Sequence, residues 1–146
     1  MSTKENKELV RRIFNEWNAV NGDVSKVRSI YDKYYAGYIY HHVSRGDMSL
    51  EQTVQYGVAI VSACPDFTFS IEDMVAEGDK VVARYTCKGT GKGTFMGIPA
   101  IGKHIEEKGV EIFKIVGGKL VEGWDFPDSL GLMTQLGVIP GAVLKT

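Results

Sequence analysis

The hydrophobic period of this 146-residue chain changes at Pro65. Before it, apolar side chains recur at helical spacing; after it they alternate with polar ones, so helices come first and strands follow. Leu9, Val10, Ile13, Phe14 and Trp17 form one stripe behind Ser2-x-x-Glu5, a capping box, and Asn21-Gly22 stops this first helix. Asp23 caps a short second helix with Val27, Ile30 and Tyr31 on one stripe, which runs into the aromatic segment Tyr34, Tyr35, Tyr38 and Tyr40. Ser49-x-x-Gln52 opens a third helix through Val54, Val58 and Val61, and Pro65 ends it because proline disfavours a helical residue before it.

Beyond Pro65, Phe67, Phe69 and Ile71 alternate with Thr68 and Ser70, and Glu77-Gly78-Asp79 turns the chain into Val81, Ala83, Tyr85 and Cys87. The segment from Thr94 to Pro99 marks an edge or bend. A long hairpin of Ile105 to Ile115 and Leu120 to Phe126 follows, joined at Gly117-Gly118. Pro127-Asp128 starts a last helix through Leu130, Leu132, Met133 and Leu136, closed by Gly137, and the tail from Val138 to Thr146 is expected to be draped or loose.

Such an order predicts one α+β domain over residues 1–146: a curved antiparallel sheet with three or four helices packed over its concave face. Helices that do not fill the concave side leave a cone-shaped cavity suited to a small hydrophobic molecule. With 44% hydrophobic residues the chain can build a genuine core. Its 17 basic and 18 acidic side chains give a net charge of -1, so no field favours nucleic acid or an anionic membrane surface. No apolar run approaches the ~20 residues of a membrane span and the first residues carry no signal-peptide core, which makes the expected location cytoplasmic. Cys64 and Cys87 lack metal or redox spacing and are expected to be reduced, half-buried and inert.

Asp125 lies in an otherwise apolar strand, in phase with Val121 and Gly123. A three-residue Gly117-Gly118-Lys119 loop would set Glu111 opposite Asp125 and Lys114 opposite Glu122; a two-residue Gly-Gly loop would place Trp124 opposite Glu111 instead. Two carboxyls sharing an apolar cavity can hold one proton near neutral pH and act as general acid or base. The plain alternative makes Asp125 a solvated strand end or a helix cap. Asp128 reads as the N-cap of the last helix. Trp17, Tyr38, Phe67, Phe69, Tyr85 and Phe113 are candidates for an aromatic pocket wall, or else plain core. His42 is expected outside, His104 on the surface, and Arg84 outward by strand parity. The three histidines show no metal-ligand spacing. Gly89-x-Gly-x-Gly93 does not open a helix and reads as a hairpin or bulge, and neither a Gly-x-Ser-x-Gly elbow nor a Cys/His signature points to covalent hydrolysis.

Four segments carry a family resemblance: Asn6-Lys-Glu-Leu-Val-Arg-Arg-Ile-Phe, Tyr38-Ile-Tyr-His41, Phe95-Met-Gly-Ile-Pro, and Gly118-Lys-Leu-Val-Glu-Gly-Trp-Asp125-x-x-Asp128 with Gly131-Leu-Met-x-Gln-Leu-Gly137. In this order the chain resembles the SnoaL-like polyketide cyclases of the NTF2-like superfamily. The resemblance implies the NTF2-like cone, a homodimer through the convex side of the sheet, and a pocket without metal or organic cofactor. It also implies an acid/base role for Asp125, which matches the aspartate that cyclases use in intramolecular aldol condensation, and for His41 a catalytic place at the pocket mouth, contacting ligand or relaying a proton, with a plain packed or exposed histidine as the alternative. Where the cyclases carry a histidine on the neighbouring strand, this chain has Glu111. Limonene-epoxide-hydrolase relatives use two carboxylates with an arginine at the place taken here by Gly109. The expected activity is cofactor-independent acid/base cyclisation or isomerisation of a small hydrophobic carbonyl compound; the alternatives are a noncatalytic binding or dimerisation module, and epoxide hydration.

Overall fold

The computed structural model describes residues 1–95 and 97–140. Met96 and the last six residues of the expected loose tail lie outside the described residues.

Helix α1 (Thr3–Asn18) begins at the expected capping box: Ser2 Oγ accepts the Glu5 N–H at 3.1 Å, and Glu5 accepts the Ser2 N–H at 3.2 Å. Two amide donors left open by a helix start are thereby satisfied. In α2 (Ser25–Tyr34) the cap position is Val24, and Asp23 serves from one residue earlier, accepting the Ser25 N–H at 3.1 Å. Tyr35 then leaves the helix directly as strand β1 (Tyr35–His42), and β2 (Gly46–Ser49) folds back on it. Helix α3 (Leu50–Ala63) starts at the Ser49/Gln52 capping box. The remaining elements are β3 (Thr68–Glu77), β4 (Lys80–Thr90), the short β5 (Thr94–Phe95) and β6 (Ile98–Pro99), β7 (His104–Val116), β8 (Lys119–Pro127) and α4 (Ser129–Gln135).

Six strands form one curved sheet in the order β2-β1-β8-β7-β4-β3, while β5 and β6 pair apart from it. The α+β cone stands, with one correction: two strands precede α3, and β1 runs parallel to β8, so the sheet is mixed rather than wholly antiparallel. A parallel pair needs a long crossover, and everything from β2 to β7 serves as one. The aromatic run after α2 belongs to the sheet because Tyr38, Tyr40 and His42 alternate onto its buried face.

The β7–β8 hairpin reconciles two registers that seemed exclusive. Gly117 and Gly118 have φ of +56° and +76°, the left-handed pair required by a two-residue type I′ turn. Val116 faces Lys119 and Ile115 faces Leu120, but a bulge then leaves Val121 unpaired. The extra residue restores Lys114 opposite Glu122 and Glu111 opposite Asp125.

Helix α1 lies against β3 and β4, and α2 and α3 lie against β1, so three helices cover the inner face. Val10, Val27, Val54, Val81 and Leu120 are buried at the junction. Helix α4 packs on β7 behind its N-cap Asp128, whose carboxylate accepts the Gly131 N–H at 2.9 Å. Among the described residues no helix is long and apolar enough to cross a membrane.

Candidate active site

Between the helices and the inner face of the sheet lies a cavity of about 90 Å³. Asp125 and Glu111 line it, and so do all six aromatic residues anticipated for its wall: Trp17, Tyr38, Phe67, Phe69, Tyr85 and Phe113. Trp17 and Phe69 meet edge to face with ring centroids 6.5 Å apart and border the space without filling it.

Asp125 is 7% exposed, and both of its carboxylate oxygens accept tyrosine hydroxyls. Tyr40 Oη donates to Oδ2 at 2.6 Å and Tyr85 Oη to Oδ1 at 2.8 Å. Burial raises the Asp125 pKa above the ordinary carboxylate range, while the two tyrosine donors pull it back. Glu111 has no such support among the described residues. Burial first, and the Asp125 charge second, push its carboxyl well above the usual value. Glu111 is half-buried and lines the cavity. The tyrosine donors favour the ionised form of Asp125 and no comparable donor favours that of Glu111, so Asp125 is the readier of the two to give up its proton.

Two glycines shape this arrangement. A Cβ on Gly109 would overlap the Tyr85 hydroxyl, and one on Gly123 would overlap the Tyr38 hydroxyl. Each side-chain vacancy on the sheet admits a tyrosine ring from a neighbouring strand.

A third carboxyl, Glu107, lines the same cavity two inward positions along β7. It shares the strand parity of Glu111, which is the signal in the sequence that could have found it. Tyr40 and Tyr56 were missed as well. Tyr40 shares the parity of Tyr38, and Thr53, Tyr56, Gly57 and Ile60 form a second helical stripe on α3 beside the Val54–Val58–Val61 stripe that drew attention.

The two neighbouring histidines exchange the places expected of them. His41 turns to the outer face, because Tyr38 and Tyr40 fix the inward parity of β1 and His41 falls on the other phase. It does not reach the cavity. His42, expected outside, is 4% exposed, and burial, then the nearby Arg45, lowers its pKa to about 4. Its Nδ1 accepts the Ser44 N–H at 3.2 Å and its ring lies edge-on to Tyr56, behind the cavity wall. His104 is exposed, as expected. Cys64 and Cys87 are free thiols, both buried rather than half-buried, and Cys87 touches the cavity. No arginine lines the cavity among its described residues, and no cluster of His, Cys, Asp and Glu there could hold a metal ion.

On the outer face His41 bridges β2 and β8: Nδ1 meets Asp47 and Nε2 meets Glu122, each at 2.7 Å, with Trp124 stacked at 5.4 Å. Two carboxylates raise the imidazole pKa above 6.5, Asp47 contributing most. A raised folded pKa gives stability that is fully present below the unfolded value and is lost as pH rises through the folded one. The stability difference between wild type and His41→Gln is therefore expected to shrink from pH 6 to pH 9 in urea titrations. Because the triad is partly exposed, its size is under about 1 kcal/mol.

The sequence profile described as SnoaL-like polyketide cyclase matches residues 8–136. Among solved structures, AclR from Streptomyces galilaeus, a candidate hydroxylase, is 27% identical with a TM-score of 0.83, over 95% of this chain and 100% of that one. A candidate SnoaL-like polyketide cyclase from Jannaschia sp. CCS1 is 26% identical with a TM-score of 0.79, over 94% and 95% of the two chains. TsrD from Streptomyces laurentii is 29% identical with a TM-score of 0.73, over 90% and 97%. No curated protein sequence matches the chain.

Proposed function

The chain belongs to the SnoaL-like polyketide cyclase family, and on that premise we propose that it is a cofactor-independent acid–base enzyme acting on a small hydrophobic carbonyl compound. The observation that carries this reading is the Glu111/Asp125 pair, directly opposite in register and lining one aromatic cavity. Asp125 takes a proton from the carbon next to the carbonyl. The electron pair of that C–H bond becomes the C=C bond while the carbonyl π pair moves onto the oxygen, which receives the Glu111 proton to give an enol. Reversal exchanges the proton; attack of the same carbon on a second carbonyl of the molecule closes a ring. A desolvated site strengthens both transfers because no water competes for the developing charge.

Exchange of the α-protons of 2-tetralone into D₂O, followed by NMR, tests the first step without the natural substrate. The enzyme is expected to accelerate it with a bell-shaped pH profile: the rate rises as Asp125 ionises and falls as Glu111 loses its proton. Wild-type protein that leaves the exchange at the buffer rate would reduce the chain to a binding module. The family also suggests a homodimer. Ile39, Val110, Ile112, Trp124 and Phe126 alternate onto the outer face of the sheet, an apolar patch that a second copy could cover. Sedimentation equilibrium is expected to give the dimer mass, and Phe126→Glu the monomer.

A further inference from the structure

The acid–base pair leaves one carboxyl of the cavity, Glu107, without a role. We propose that Glu107 makes this pocket a charge filter, which turns away carboxylate-bearing ligands and favours a protonated amine beside its carboxylate. The inference shares its pocket with the proposed function but none of its chemistry, since it concerns binding and not proton transfer.

Three carboxyls line the cavity, and among the described lining residues there is no lysine, arginine or histidine to balance them. A ligand anion entering such a site meets like charge with little water to screen it. A cation meets carboxylate and the ring faces of several tyrosines. Glu107 is half-buried on β7, as Glu111 is, and lines the cavity two inward positions away from it. The groups that face it are few. Cys87 stands opposite on β4, with its thiol donating to the Glu107 backbone carbonyl at 3.4 Å. The charges of Asp125 from β8 and Asp128 from the α4 cap raise its pKa, Arg45 from the β1–β2 turn lowers it, and Tyr56 of α3 feels its charge. Arg45 itself is exposed, its guanidinium 4.9 Å from the centre of the Tyr56 ring. Burial above all, then the two aspartates, move the Glu107 pKa up to about 7. The filter is therefore charged above neutrality and relaxed below it.

The test compares acetophenone, benzoate and benzylamine, which share a ring and differ in charge, by NMR shift titration of the full chain at pH 6 and pH 8. At pH 8 benzoate is expected to bind at least about tenfold more weakly than acetophenone, and benzylamine most tightly. At pH 6 both differences narrow. In Glu107→Gln the pH dependence disappears and benzylamine loses its advantage. Benzoate equal to acetophenone at pH 8, absence of binding by all three, or full discrimination with unchanged pH dependence in Glu107→Gln would each overturn the proposal. The wild-type comparison of pH 6 with pH 8 needs no variant, so a misfolded Glu107→Gln cannot shelter the idea. The 2-tetralone exchange is read separately, which keeps failure of the filter distinct from failure of the acid–base reading.

Discussion

Asp125→Asn is expected to lower the 2-tetralone exchange rate by about 10²–10⁴-fold, the usual contribution of a positioned general base, while the protein stays folded. Asparagine has the same shape as aspartate. Its amide oxygen can still accept one tyrosine hydroxyl, and its amide N–H can donate to the oxygen of the other, so Tyr40 and Tyr85 both keep a partner. The substitution also removes a charge from a desolvated place, so the melting temperature should hold or rise. What disappears is the only group of the pair that the tyrosines hold ionised. Glu111 is a poor replacement: burial, the larger cause of its raised pKa, persists in the variant and still disfavours its charged form. Exchange at the wild-type rate in Asp125→Asn would remove this carboxylate from the chemistry whatever the fate of the fold.

The helices and their starts were legible because capping boxes are local: Ser2/Glu5 and Ser49/Gln52 act within one turn and need no tertiary context. Strand parity was legible wherever a strand had been recognised, which is why Glu111 and Asp125 were placed inward, while Trp17 of the aromatic wall was read from the helical stripe of α1. The placement of His41 failed for the same reason in reverse. Family likeness assigned it to the pocket mouth, whereas the alternation through Tyr38 and Tyr40 already put it on the far side and His42 inside. The parallel pairing of β1 with β8 was not legible, because partners so distant in sequence leave no local trace. Nor was the bulge at Val121, where one unpaired valine turns a two-residue loop into the pairing expected of a longer one. A site residue such as Tyr85 was visible from parity, but its bond to Asp125 required knowing which neighbour on β7 lacks a side chain.

That neighbour is Gly109, and Gly109→Ala is expected to disturb stability and chemistry together. Its place is the one where epoxide-hydrolase relatives carry an arginine, and here the vacancy admits the Tyr85 hydroxyl between two strands. An added Cβ would overlap that hydroxyl and come within 3.0 Å of the Pro127 backbone. Tyr85 has little room to retreat, being 4% exposed and packed edge-on against Phe69 at 5.7 Å. Overpacking of this kind costs about 1–3 kcal/mol, which a urea titration resolves. Displacing the hydroxyl also strips Asp125 of a donor that lowers its pKa, so the rising limb of the exchange profile should move to higher pH. Tyr85→Phe isolates the second effect, since it deletes the donor without crowding the strand, and it should shift the limb in the same direction. Gly93→Ala, with nothing within 4 Å of the new methyl group, serves as the control and should stay within about 0.5 kcal/mol of wild type. If Gly109→Ala loses stability yet keeps the wild-type pH profile, the Tyr85 bond is a packing contact and the tyrosines do not set the order in which the two carboxyls ionise.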